Sequence, residues 1–367
     1  MAAVKRKLNV SGPQFKYGPL VFLLMPAIEF TLARIPLQFV SQTAVLTDLL
    51  ADYFHHYQPR ISPTLPNSTA SQAVQLTLEF CDVLPARESL LAGAAQLFSH
   101  TGALRLWQQP KQHEAESSQF YFDAGVAAFY VDTSAGCATG YVTPAAMETP
   151  RILANTYTLF PLLLLLRARG VYHLHAAAAQ SPDGQIYLFP GAPRAGKTTL
   201  ATALGLAGWQ PLADDSLLLD MQGAAVRCWP LRKEFHLDEQ LLAHWPQLAA
   251  APVRHRYLGR ACVEALEFFG THALAQQPFA NVDAVVLPQI SAAAHSRVEP
   301  LPASSALLKL AEQSVYLQLW RAHTARQFAG LAQLMQTART LRFHSGGDIL
   351  GDPQAAAAIL RASLKRT

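Results

Sequence analysis

Through the first 150 residues the apolar positions recur mostly with a period of two. Ile28-Glu29-Phe30-Thr31-Leu32 alternates, Leu37-Gln38-Phe39-Val40 offers it a partner, and Val74-Gln75-Leu76-Thr77-Leu78-Glu79-Phe80 alternates throughout. Such a pattern sets one face of a strand against a core. Shorter pieces of the same signal lie at 104–107, 119–122, 127–131 and 139–142. Residues 44–57 break it, with Leu46, Leu49, Leu50, Tyr53 and Phe54 at helical spacing. The Pro-, Ser- and Thr-rich stretch 59–71 reads as a loop, and 1–17 as a loose polar segment. The pattern predicts an antiparallel sheet with one or two helices.

From 151 onward the period changes. Residues 151–169 read as a long buried helix with Pro161 as its kink, leading into Tyr172-His173-Leu174-His175. A buried strand at 185–189 and a helix at 198–206 follow. Strand signals recur at 210–219, 225–229, 282–287 and 341–343, and helical ones at 237–244, 304–312, 323–338 and 353–363. Trp245-Pro246 closes the first of these helices. Strands alternating with helices indicate an α/β fold. The organisation expected is therefore a strand-rich α+β domain over 1–168 and an α/β domain over 169–367. No Gly/Ser linker marks the junction, which leaves one continuous core open. There is no repeat, and the alanine runs 176–179 and 355–358 are too short to count.

Composition narrows the class. Of 367 residues, 51% are hydrophobic and 15% charged, which suits a well-buried globular chain. A formal net charge of +4 is too small to imply nucleic acid, and phosphate ligands or an acidic peptide suffice to explain it. The four cysteines (Cys81, Cys137, Cys228 and Cys262) are scattered without a C-x-x-C pair, so free thiols in a reducing compartment are expected and a zinc site is not. The apolar run 19–27 is broken by Pro26, with Glu29 just beyond it, and shows no cleavage site, and 160–166 falls far short of a membrane span of about 20 residues. No membrane association and a cytoplasmic location are the expectation.

The chemistry concentrates in Gly191-Ala192-Pro193-Arg194-Ala195-Gly196-Lys197-Thr198, followed by Thr199, which fits the phosphate-loop pattern G-x-x-x-x-G-K-[ST]. A strand precedes it and a helix follows, as the pattern requires. Glycines permit a tight turn around an anion, and successive N–H groups at the helix start face the phosphates. In this pattern Lys197 reaches the β- and γ-phosphates of ATP, and the Thr198 hydroxyl holds Mg²⁺. Ala213-Asp214-Asp215 comes one helix and one return strand later, and that strand is expected to end beside the one feeding the loop. One carboxylate then serves the metal and the other accepts a proton from an attacking hydroxyl. The bland alternative is a simple Asp-Asp turn.

The run from His175-Ala176-Ala177-Ala178 through Gly191…Lys197-Thr198, Gly208-Trp209 and Leu212-Ala213-Asp214-Asp215 resembles the kinase domain of the HPr (Ser) kinase/phosphorylase family. It is more similar still to the shorter HPr-kinase-related proteins found with peptide natural-product biosynthesis. The resemblance is specific over about 172–220 and weaker toward 282–287 and Gly346-Gly347-Asp348. It implies a P-loop kinase core of the HPr-kinase/PEP-carboxykinase-like type behind a strand-rich domain suited to acceptor recognition. It also implies a phosphotransferase that uses ATP and Mg²⁺ to phosphorylate a Ser or Thr hydroxyl of a peptide or small protein. Under it Lys197 binds the transferred phosphoryl group, Thr198 and Asp214 serve the metal, Asp215 is the proton acceptor, and His175 matches the active-site histidine. His173 is a weaker counterpart. Full-length HPr kinases are oligomers, so a homo-oligomer is an expectation on that ground alone.

Two departures bear on this reading. The family commonly has Ser-Gly where this chain has Pro193-Arg194. Pro193 lacks an N–H, and Arg194 either places a guanidinium on a phosphate or faces solvent. The family's Arg- and Gly-rich signature after the Asp-Asp pair is absent. Arg254-His255-Arg256 with Gly259-Arg260 is a basic cluster in its place, either a phosphate or acidic-peptide contact or a solvated loop. Lys233 is a similar case, and Glu264 a further metal candidate. HPr itself is therefore not the expected acceptor. A nucleotide-dependent scaffold protein with a degenerate loop, or a small-molecule kinase, are the alternatives.

Overall fold

The computed structural model describes residues 26–62, 73–100, 104–110, 118–231, 234–249, 253–257, 259–264, 269, 278–314 and 320–365. The chain divides into two compact units, one ending at Leu165 and one beginning at Leu166.

The first unit is built on a nine-stranded sheet. Its strands are β1 (Ala27–Leu32), β2 (Ile35–Ser41), β3 (Arg60–Ser62), β4 (Val74–Phe80), β5 (Ala95–His100), β6 (Leu104–Pro110), β7 (Ser118–Asp123), β8 (Ala127–Asp132) and β9 (Cys137–Val142). Their spatial order is β3-β1-β2-β4-β9-β8-β7-β6-β5. The sheet is mixed rather than antiparallel, because β4 runs parallel to both β2 and β9. Between β2 and β4 the chain passes through the helix Ala44–Tyr53, and a crossover of this length is what parallel strands require. Thr43 caps that helix by accepting from the Leu46 N–H at 3.4 Å. Within the stretch expected to be a loop, residues 60–62 form β3 on the edge of β1; residues 63–71 of that stretch, like residues 1–17, lie outside the described residues. β5 carried no alternation strong enough to predict it.

Aromatic side chains fill this unit. Phe30 stacks on Phe39 at 5.6 Å and meets Phe54 at 4.8 Å. Phe122 stacks on Phe160 at 4.5 Å. Gly140 on β9 leaves room for the Phe129 ring, since a Cβ there would come within 2.3 Å of it. The expected long helix is broken into Pro150–Ile152, a π-helical turn Leu153–Thr158 and the helix Leu159–Ala168. Pro161 offers no N–H to the carbonyl four residues back, and the wide turn lies immediately before it.

The second unit has a six-stranded sheet in the order β13-β11-β12-β19-β21-β20. These are β11 (Ala176–Gln180), β12 (Ile186–Pro190), β13 (Gln210–Ala213), β19 (Ala284–Ile290), β20 (Arg297–Pro300) and β21 (Arg339–Ser345). Side chains alternate between two cores. Ala177, Ala179, Tyr187, Phe189, Ala284, Val286, Leu341 and Phe343 face one, with the helices Lys197–Leu206 and Pro353–Lys365. Ala176, Ala178, Leu188, Val285 and Leu287 face the other, with Ala303–Glu312 and Arg321–Met335. Both faces are covered, as in α/β proteins. A three-stranded sheet lies on the second core: β10 (Val171–Leu174), β14 (Leu217–Asp220) and β15 (Arg227–Pro230), in the order β10-β14-β15. Another consists of β16 (Glu234–Leu237), β17 (Val253–Tyr257) and β18 (Arg260–Glu264), ordered β16-β18-β17, with Phe235, Leu237 and Val263 in the first core.

Candidate functional site

β12 and β19 are parallel, as are β19 and β21, and β13 is antiparallel to β11, which is itself antiparallel to β12. The carboxyl ends of β12, β13, β19 and β21 therefore reach one edge of the sheet, where α/β proteins bind ligands. The loop 191–196 leaves β12 there, and Asp214-Asp215 leaves β13. β13 is not beside β12 as expected, because the alanine strand β11 lies between them. Its alanines gave no periodic signal, which is why the sequence did not reveal it. β11 has a role at the edge nonetheless. Ala176 stands opposite Pro190, so His175 enters beside Gly191.

His175, Pro193, Arg194, Gly196, Lys197, Thr198, Thr199, Asp214 and Asp215 line one cleft of about 220 Å³. The fold thus gathers most of the positions singled out in the sequence. Gly191, Ala192 and Ala195 complete the loop behind them. The Lys197 Nζ donates to the carbonyls of Gly191 at 2.8 Å and Ala192 at 3.1 Å, folding the side chain over its own loop. Burial pulls the Lys197 ammonium below the usual lysine range, and the charges of Asp215 and Asp214 oppose that shift. Gly196 has φ 97°, a backbone conformation that glycine adopts without strain, and starts the helix Lys197–Leu206. Arg194 has φ 67°, the left-handed region, where a glycine would be unstrained. The Ala195 N–H donates to the Ala192 carbonyl at 3.1 Å.

Asp214 is 1% exposed. Its Oδ2 accepts from the His236 N–H at 3.0 Å, whereas Oδ1 is buried with no hydrogen-bond partner among the described residues. Burial, and then the Asp215 charge, hold its carboxyl well above the usual carboxylate range; the His236 N–H, the Thr198 hydroxyl and Lys197 pull the other way. Hard oxygen donors from Thr198 and Asp214, one of them an orphaned buried oxygen, form a donor set that suits Mg²⁺. Asp215 is more open, 23% exposed, with its Oδ2 3.9 Å from the His236 Nδ1. His173 lies off the cleft lining, its Nε2 2.8 Å from the Ser216 Oγ.

His236, Asp238, Leu241, Arg260 and Ile290 also line the cleft. His236 and Asp238 were not anticipated; Glu234-Phe235-His236-Leu237 does alternate, and that was the available signal. Asp238 caps the helix Glu239–His244 through the Leu241 N–H at 2.8 Å. Of the basic cluster only Arg260 reaches the cleft lining. Arg254 is exposed on β17, and Arg256 pairs with Glu239 at 3.2 Å on the surface. Lys233 and the Glu264 side chain lie outside the described residues. Among those residues, no helix is long and apolar enough to cross a membrane. No family model matches the chain, and no curated protein matches it.

Proposed function

We propose that the chain is an ATP-dependent kinase that transfers the γ-phosphoryl group to a hydroxyl, a Ser or Thr of a peptide or small protein. The observation that carries this reading is the pairing, in one cleft, of a phosphate loop with two carboxylates in contrasting environments. Lys197 would exchange the Gly191 and Ala192 carbonyls for phosphate oxygens, with Arg194 and Arg260 adding positive charge at the rim. Mg²⁺ held by Thr198 and Asp214 would supply charge neutralisation on the transferred group. Asp215, the more exposed carboxylate, accepts the proton of the attacking hydroxyl, with His236 beside it and His175 in the same cleft lining. Such transfer depends on positioning and charge rather than covalent chemistry. None of the four cysteines is in a disulfide, which fits a cytoplasmic setting.

Incubation with γ-labelled ATP and candidate peptides tests the proposal. Asp215→Asn is expected to lower transfer by about 10²–10⁴ while ATP still binds. Undiminished transfer by that variant would remove Asp215 from its role. A nucleotide-dependent scaffold is the second reading. It is favoured by the loop itself, where Pro193 has no N–H and that of Ala195 is spent on Ala192. Intact MgATP binding without transfer to any hydroxyl would select it.

A further inference from the structure

The sheet β16-β18-β17 carries a second polar cluster that phosphoryl transfer does not use. Cys262 on β18 stands opposite His236 on β16 and opposite His255 on β17. Directly opposed residues of antiparallel strands project from the same face. Glu234 lies two residues from His236, hence on that face as well. The register of β17 shifts between Val253 and His255, where two steps on β17 match one on β18. Without that extra residue Arg254 would stand opposite Cys262, and the bulge brings His255 there instead.

One donor atom each from Glu234, His255 and Cys262 lies within 4.8 Å of the other two. The Glu234 Oε2 and His255 Nε2 are 3.5 Å apart. Two ligands of a tetrahedral ion with bonds of about 2.0 Å are separated by about 3.3 Å. Cys262 is fully buried, whereas His255 and Glu234 are 15% and 13% exposed, so the thiol forms a closed floor and the other two ligands form the mouth. Full burial of the sulfur argues against a nucleophile acting on an external substrate. A set of one thiolate, one imidazole and one carboxylate matches the borderline-soft Zn²⁺ and disfavours Mg²⁺. Cysteine spacing gave no sign of this, because the three ligands come from three strands.

We infer that Glu234, His255 and Cys262 form a binding site for a zinc-class divalent ion, distinct from the Thr198–Asp214 pair and independent of the phosphotransfer reading. Three protein ligands leave one coordination position for water. The ion would tie β16, β17 and β18 together two residues along β16 from His236.

The test uses the full chain without a histidine tag, stripped of metal and titrated with Co²⁺ in excess Mg²⁺. We expect saturable binding with a thiolate-to-cobalt charge-transfer band and the intense d–d bands of a four-coordinate ion, both lost on adding Zn²⁺. Cys262→Ser should abolish the charge-transfer band, and His255→Gln and Glu234→Gln should each weaken Co²⁺ at least ~10-fold. Asp214→Asn should leave the band intact. Because Cys262 is buried, folding of its variant is checked by circular dichroism, and His255→Gln and Glu234→Gln carry the test if it does not fold. Wild-type binding no tighter than that of His255→Gln, or a cobalt complex without the charge-transfer band, would overturn the assignment.

Discussion

Asp214 is the residue on which the cleft's electrostatics turn. Its folded pKa is raised by burial and by Asp215, whereas in the unfolded chain it ionises near ~3.9. Between those two values the folded chain keeps a proton that the unfolded chain has released. Stability therefore falls as pH rises through that window, and the loss is complete above the folded pKa. The melting temperature of the metal-free chain is expected to drop between about pH 4 and about pH 7. Asp214→Asn should flatten that dependence, and Mg²⁺ should raise the melting temperature of the wild type at the upper pH but not of the variant. Arg194 offers a second test, since its left-handed backbone costs about 1 kcal/mol. Arg194→Gly should fold without loss of stability, while MgATP affinity measured by calorimetry falls about ten-fold or more if the guanidinium meets phosphate. Unchanged affinity would leave Arg194 facing solvent. At this scale the sequence was highly legible, because the phosphate loop and Asp-Asp pair are contiguous motifs. His236 was not, because its importance comes from a backbone N–H that reaches Asp214 across 22 positions.

Elements around the cleft are held by short local clasps. At the carboxyl end of β21, Asp348 accepts from the Ser296 N–H at 2.8 Å and from the Ser296 Oγ at 2.5 Å, and the Gly346 N–H donates to that same Oγ at 2.8 Å. Gly346 has no room for a Cβ, which would come within 2.5 Å of the His295 carbonyl carbon. Asp348→Ala leaves the Ser296 N–H and hydroxyl without their acceptor and should cost about 1–3 kcal/mol, read as a lower denaturation midpoint. Elements with a strong period, such as β4 and the helix Ala303–Glu312, could be read from sequence. The short strands β16, β17 and β18 could not, since a run of four or five residues without a marked apolar core fits several periods. The parallel pairing of β4 was equally hidden, because alternation reports a strand's faces and not its neighbours.

At the scale of the whole molecule, the second unit is a sheet enclosed by helices on both faces, with the cleft at its carboxyl edge. The α/β class was legible because strands and helices alternate in order. Strand order was not, since nothing in four consecutive alanines says that they lie between the loop strand and the Asp-Asp strand. Those alanines have a consequence for reach. Ala177 and Ala179 bring almost no volume to the interface with the helix Lys197–Leu206, which makes contact with β11. The thickness of the layer beneath that helix therefore sets how far its first turn stands from the end of β13. Ala177→Val should thicken it, costing about 1–3 kcal/mol through overpacking and weakening MgATP binding although residue 177 lies outside the cleft lining. On this view the smallest side chains in the unit act as a spacer that keeps Lys197 and Thr198 within range of Asp214.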